Sequence, residues 1–129
     1  LEDYFVENSE IVFVSMGALS ENIELVVDSL RESGEKVGLL RVKCFRPFPM
    51  IQIAKTLENA KIIIILEKDV SLGVEGALAT EVKAALQDAR ERPSVLSMVC
   101  GLGGRDVTLK EITEVYDKAK GGQTGPTWL

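Results

Sequence analysis

Lys61-Ile62-Ile63-Ile64-Ile65-Leu66 sets five aliphatic residues in a row, Ile62 to Leu66, with no polar residue among them. A half-exposed strand alternates apolar and polar side chains, because successive side chains point to opposite faces. The unbroken run therefore predicts a strand covered on both faces, the place of a central strand in a parallel sheet between helical layers. It is too short to span a bilayer, which takes about 20 apolar residues.

Upstream, Glu10 to Ser15 is rich in β-formers and stops at Gly17, which predicts a first strand entering a tight turn. Ser20 is the expected N-cap of the helix that follows. Glu21 and Glu24 suit its positive end, and Ile23, Val26, Val27 and Leu30 form its apolar stripe. Gly34 supplies the stop. Val37 to Val42 reads as a second strand, ended by Arg46-Pro47-Phe48-Pro49, with a short helix from Met50 to Leu57. Downstream, a helix over Val74 to Asp88 carries Leu78, Val82, Ala85 and Leu86 on one stripe, and Ser94 to Cys100 makes a fourth strand. Thr108 and Glu111 form a capping box for a last helix with Leu109, Ile112, Val115, Tyr116 and Ala119 on its apolar side. The sum is four βα units, an α/β fold with an open parallel sheet between two helical layers. Residues 1–120 form one domain; residues 121–129 have loop composition and read as a tail, with Trp128 free to dock on another surface.

The chain's 129 residues, 46% hydrophobic, suffice for one core. Fifteen basic residues against twenty acidic ones leave a net charge of -5, which excludes a cationic field for nucleic acid or an anionic membrane surface. There is no histidine, and Cys44 and Cys100 lie far apart without a CxxC pair, so no metal-ligand spacing or disulfide framework is present. Both read as small buried thiols in a reducing compartment. With no signal peptide and no starting methionine before Leu1-Glu2-Asp3-Tyr4, the sequence reads as a soluble cytoplasmic piece of something longer.

In an open parallel sheet, ligands and partners meet the carboxyl ends of the strands. Here that edge is expected from Met16–Ser20, Cys44–Pro49, Glu67–Gly76 and Gly101–Asp106. Gly101-Leu102-Gly103-Gly104-Arg105-Asp106-Val107-Thr108 begins like a dinucleotide fingerprint, but Asp106 stands where the third glycine belongs, and the motif follows the fourth strand instead of the first. No Lys-Ser or Lys-Thr completes a phosphate loop either. Two readings stand: a charged interface corner in which Asp106 pairs with Arg105, or an anion site built on the Gly103 and Gly104 amides. Glu67-Lys68-Asp69 resembles catalytic carboxylates at a strand end, yet has no histidine, nucleophile elbow or metal set beside it. Gly73 and Gly76 let the helix and a neighbouring backbone approach closely. Arg46, before two prolines, is either a contact residue held outward or a solvated arginine beside a turn.

Taken in order, SMGALSENIELVVDSLRESGEKVGLLRVKCFRPFP, LEKDVSLGVEGALATEV and GLGGRDVTLKEI resemble the α-chain region of pyruvate:ferredoxin oxidoreductase and related 2-oxoacid:ferredoxin oxidoreductases. The resemblance implies a transketolase C-terminal-type fold, a three-layer α/β/α sheet, mostly parallel with one antiparallel edge strand. It also implies a parent enzyme that decarboxylates a 2-oxoacid, pyruvate by preference, on thiamine diphosphate with magnesium. Electrons would pass through iron-sulfur clusters to ferredoxin, and the acyl group to coenzyme A. Clusters need sets of cysteine ligands, which Cys44 and Cys100 do not make, so this fragment is expected to bind no cofactor itself. Its expected partners are other domains and subunits of the same oxidoreductase, and its expected role is assembly, at Arg46, Pro47, Glu67, Asp69, Gly73, Gly103, Gly104, Arg105 and Asp106, with no catalytic residue. The alternative is an anion or CoA-phosphate-binding module.

Overall fold

The computed structural model describes residues 1–68, 75–89, 91–101 and 105–128, the last without its side chain. Among these residues the chain runs β1 (Glu2–Tyr4), β2 (Ile11–Ser15), α1 (Leu19–Glu32), β3 (Val37–Arg41), α2 (Met50–Thr56), β4 (Ile62–Glu67), α3 (Ala77–Ala85), β5 (Ser94–Val99), α4 (Leu109–Lys120) and β6 (Gly125–Trp128). One six-stranded sheet has the order β1-β3-β2-β4-β5-β6. Only β1 is antiparallel to its neighbour, pairing Glu2 with Arg41 and Tyr4 with Leu39. The other neighbours are parallel. The expected α/β/α architecture with an antiparallel edge strand is the one observed.

The aliphatic run of β4 divides its side chains between two cores. Ile64 and Leu66 join Phe13, Leu39 and Leu96 beneath α1 and α4, whose Ile23, Val27, Ile112 and Val115 close that side. Ile63 and Ile65 join Val12, Val14 and Leu40 beneath α2 and α3, closed by Ile53, Leu78 and Val82. Ile63 through Leu66 are fully buried. Neither face of the strand can meet water, so both helical layers are required.

Four local expectations differ from the structure. The N-cap of α1 is Ala18, not Ser20. Gly17, at φ 69°, turns the chain into the helix earlier, and Ser20 ends up buried inside the first turn. Leu109 is 44% exposed instead of part of the apolar stripe, because the first residue of α4 stands outside the contact that Ile112, Val115, Tyr116 and Ala119 make. Cys44 is exposed, two residues beyond the last buried side chain of the β3 segment, Val42, where the chain has left the sheet. Residues 125–128, read as tail, add strand β6 in parallel register with β5, Leu96 opposite Gly125 and Val99 opposite Trp128. An edge strand pairs along one side only, so Pro126 and its missing N–H are tolerated there. The Trp128 indole lies outside the described residues.

The capping box of α4 forms as expected, with Thr108 Oγ1 accepting from the Glu111 amide at 3.1 Å and Glu111 accepting from the Thr108 amide at 3.0 Å. Gly34, at φ 89°, follows the end of α1.

The two-sided burial sets the stability expected of β4. Ile64→Ala should destabilise the fold by about 2–5 kcal/mol in urea unfolding, through lost transfer energy and the cavity left behind. Ile51→Ala, on a side chain 83% exposed, should change it by less than about 0.5 kcal/mol.

Candidate functional site

Strand β2 lies between β3 and β4, and the connections leave it in opposite directions, towards β3 on one side and, through β4, towards β5 on the other. That reversal makes the gap between the carboxyl ends of β2 and β4 the switch point of the sheet, where open α/β sheets place their ligands and partners. A cleft of about 450 Å³ opens there, walled by Met16, Leu19, Phe45, Ala77 and Leu78, with Lys68 beside it.

Glu67, the last residue of β4, is 6% exposed and lies under this cleft. Its carboxylate accepts from the Leu78 amide at 2.7 Å and the Ala79 amide at 2.8 Å. These are two of the N–H groups that the first turn of a helix cannot satisfy internally, and the negative charge also meets the positive end of α3. No residue of α3's own N-terminus provides a side-chain cap. Glu67 is thus a cap donated from the sheet, which fixes the start of α3 against the end of β4. Gly76 makes room for it: a Cβ there would overlap the Glu67 carboxyl group. The close approach expected at Gly76 is real, but it is made to a side chain instead of a neighbouring backbone.

Arg46 reaches the same helix from the other side. Its guanidinium lies 4.2 Å from the centre of the Phe45 ring, donates to the Phe45 carbonyl at 2.9 Å and pairs with Glu81 of α3 at 2.9 Å. Phe45 in turn meets Phe48 edge to face, 5.6 Å between centroids. Pro47, joined to Arg46 by a cis peptide bond, is exposed. Arg46 and Glu67 therefore both engage α3, whereas Pro47 only follows Arg46 in the chain.

Arg105 and Asp106 form a separate corner at the start of α4. The Arg105 guanidinium pairs with Glu111 at 2.6 Å, so the expected partner Asp106 is not the one it takes; Asp106 is exposed. Glu111 is also held by the capping box, which keeps its carboxylate within reach of Arg105. Asp69, Gly73, Gly103 and Gly104 lie outside the described residues. Met16, Leu19, Phe45 and Lys68 fall inside the loops expected at this edge without being singled out as site residues, whereas Ala77 and Leu78 lie outside those loops and were missed. The signal for the loop residues was their position at the carboxyl ends of adjacent strands; Ala77 and Leu78 open α3 and carried no such signal.

The donor set does not suit the groups that the resemblance implies for the parent enzyme. Among the described residues no three His, Cys, Asp or Glu side chains gather as a metal ion would need. The two cysteines differ in kind: Cys44 is exposed, whereas burial pushes the Cys100 thiol up to about 11 and disfavours the thiolate that a cluster requires. The buried carboxylate of Glu67 is turned to the α3 amides.

Two measurements test this geometry. Glu67→Ala should cost about 2–4 kcal/mol, since two buried amides lose a charged acceptor. Gly76→Ala should be costly in the native background and much less so beside Glu67→Ala, giving a coupling of about 1 kcal/mol or more in a double-mutant cycle; additive costs would refute the notch. In thiol labelling at pH 8, Cys44 should react in the folded protein and Cys100 only after unfolding. Cys100 in the folded chain stays protonated until pH approaches its raised value, so equal rates would contradict its burial.

Residues 9–112 match the family described as pyruvate:ferredoxin oxidoreductase core domain II. The pyruvate synthase subunit PorA of Pyrococcus abyssi is 40% identical over 120 residues, covering 93% of this chain and 30% of that subunit. PorA of Thermotoga maritima is 41% identical over 122 residues, 95% of this chain and 31% of the subunit. The ketoisovalerate oxidoreductase subunit VorA of Pyrococcus furiosus is 39% identical over 120 residues, with 93% and 30% covered. The chain thus spans about a third of the length of the relatives it matches. Among solved structures, a split-gene transketolase in an inactive β4 tetramer superposes with a TM-score of 0.66 over 87% of this chain and 38% of that one, at 14% identity, a likeness of fold. A family match over this much of the sequence, on an α/β/α sheet of the expected architecture, means that the chain belongs to the pyruvate:ferredoxin oxidoreductase core domain II family.

Proposed function

We propose that this chain is an assembly domain of the α subunit of a cytoplasmic 2-oxoacid:ferredoxin oxidoreductase, and that it performs no chemical step itself. The whole enzyme would convert pyruvate, coenzyme A and oxidised ferredoxin to acetyl-CoA, carbon dioxide and reduced ferredoxin. Thiamine diphosphate, magnesium and iron-sulfur clusters would be carried by other domains and subunits. The observation that carries this reading is the use made of the charged groups on the carboxyl edge. Glu67 is committed to the α3 amides, Arg46 to Glu81 and Arg105 to Glu111. Groups bound to one another shape a surface; general acids, bases and nucleophiles must face the reacting atoms. Pyruvate is preferred because pyruvate synthase subunits stand among the relatives near 40% identity, beside a ketoisovalerate oxidoreductase subunit at 39%. The anion or CoA-phosphate reading has less support, since the one cation described in its loop, Arg105, is already paired.

The chain alone should give no pyruvate- and CoA-dependent reduction of a viologen dye. Exchanged for the matching segment of the Thermotoga maritima PorA subunit and produced with that enzyme's other subunits, it should yield an assembled complex that reduces the dye. Turnover by the chain alone, or a folded chimera that does not assemble, would overturn the proposal.

A further inference from the structure

The switch-point cleft has an uneven character that the ion pairs around it do not account for. Its walls are apolar, and the carboxylate beneath it, Glu67, has both oxygens engaged by α3 amides. Lys68 lies beside these walls as a cation that makes no hydrogen bond or ion pair among the described residues. In a chain of net charge -5, such a cation is a local attractive point on an otherwise acidic molecule. The cleft also continues outward. Phe45, one of its walls, stacks under Arg46 and against Phe48, and beyond them Met50 and Ile51 are 41% and 83% exposed. Arg46 ties the base of this ridge to Glu81 of α3. Aromatic and aliphatic side chains around an apolar recess are what the centre of a stable contact uses.

We propose that the cleft and its ridge receive an apolar side chain flanked by a carboxylate, presented by the part of the oxidoreductase α subunit that these 129 residues do not span. The inference rests on the assembly role proposed above and names the contact through which it acts. The relatives are about three times longer than the stretch they share with this chain, so most of such a subunit is available to supply the occupant. Charge complementarity selects among the surfaces it offers. A carboxylate is drawn to Lys68, while an acidic surface that misses Lys68 meets the chain's negative remainder.

Cys44 reports on the contact directly: it is exposed in this chain, donates to the Arg46 carbonyl at 3.1 Å and adjoins Phe45. In the Thermotoga maritima PorA chimera, assembled with its partner subunits, peptide-resolved alkylation of Cys44 should be at least about tenfold slower than in the 129-residue chain. Lys68→Glu and Phe45→Ala should each restore fast alkylation. Lys68→Arg should retain protection, and Lys55→Glu, on α2 beside a different cleft, should not alter it. Protection by Lys68 should weaken in high salt, because the attraction is screened. Failure of the unsubstituted chimera to assemble would overturn the assembly role itself. An assembled chimera in which Cys44 reacts as fast as in the chain, or in which Lys68→Glu and Phe45→Ala stay protected, would overturn this contact alone. So would protection of Cys44 in the 129-residue chain by self-association, seen as a dimer in sedimentation.

Discussion

Burial of β4 on both faces is the constraint from which the rest of the architecture follows. Ile64 and Leu66 need cover from α1 and α4, and Ile63 and Ile65 need it from α2 and α3. Helices on both sides require crossovers that leave the sheet in two directions, and the chain meets this by building β3 on one side of β2 and β5 on the far side of β4. The reversal between β2 and β4 leaves no helix directly above the gap at their carboxyl ends. The cleft is a consequence of how the core is covered, and its apolar walls are the first residues of α1 and α3 together with Met16 and Phe45 from the loops after β2 and β3.

Glu67 shows how much of such an edge depends on distant contacts. A carboxylate at a strand end, followed by a lysine and another acid, has the look of a reacting group. Its described surroundings give it a structural use: two α3 amides hold it, and Gly76 leaves room for it. The residue that identifies the role is a glycine nine positions away. The pair is legible only once β4 and α3 are folded back on each other, because neither residue type predicts the other.

Much of the fold was open to reading because the signals are local. Five aliphatics in a row, the Thr108–Glu111 box and the glycine after α1 each determine their own neighbourhood, and each appears where expected. What was misread depends on competition between neighbouring groups or on distant partners. Ser20 loses its capping role to the turn at Gly17, Arg105 takes Glu111 because α4 presents it, and β6 exists because β5 offers it an edge. Gly125 and Pro126 carry no strand propensity of their own. The site follows the same division. Its acidic and basic landmarks were visible, whereas Phe45, Met16 and Leu19 become neighbours only through the parallel order of β3, β2 and β4.

That division bears on what the chain can do. Where charged groups at a carboxyl edge are satisfied within the domain, their energy goes into holding loops in place, and recognition passes to the apolar surface those loops present. Arg46 illustrates the exchange: its charge is spent on Glu81 and Phe45, and the result is a fixed row of Phe45, Pro47 and Phe48. Lys68 differs in having its methylenes packed against Gly101, which has no Cβ to displace them, while its ammonium makes no ion pair among the described residues. An apolar row beside a cation that is unpaired among the described residues gives a partner both area and direction, and direction is what an acidic domain needs to dock in a single register.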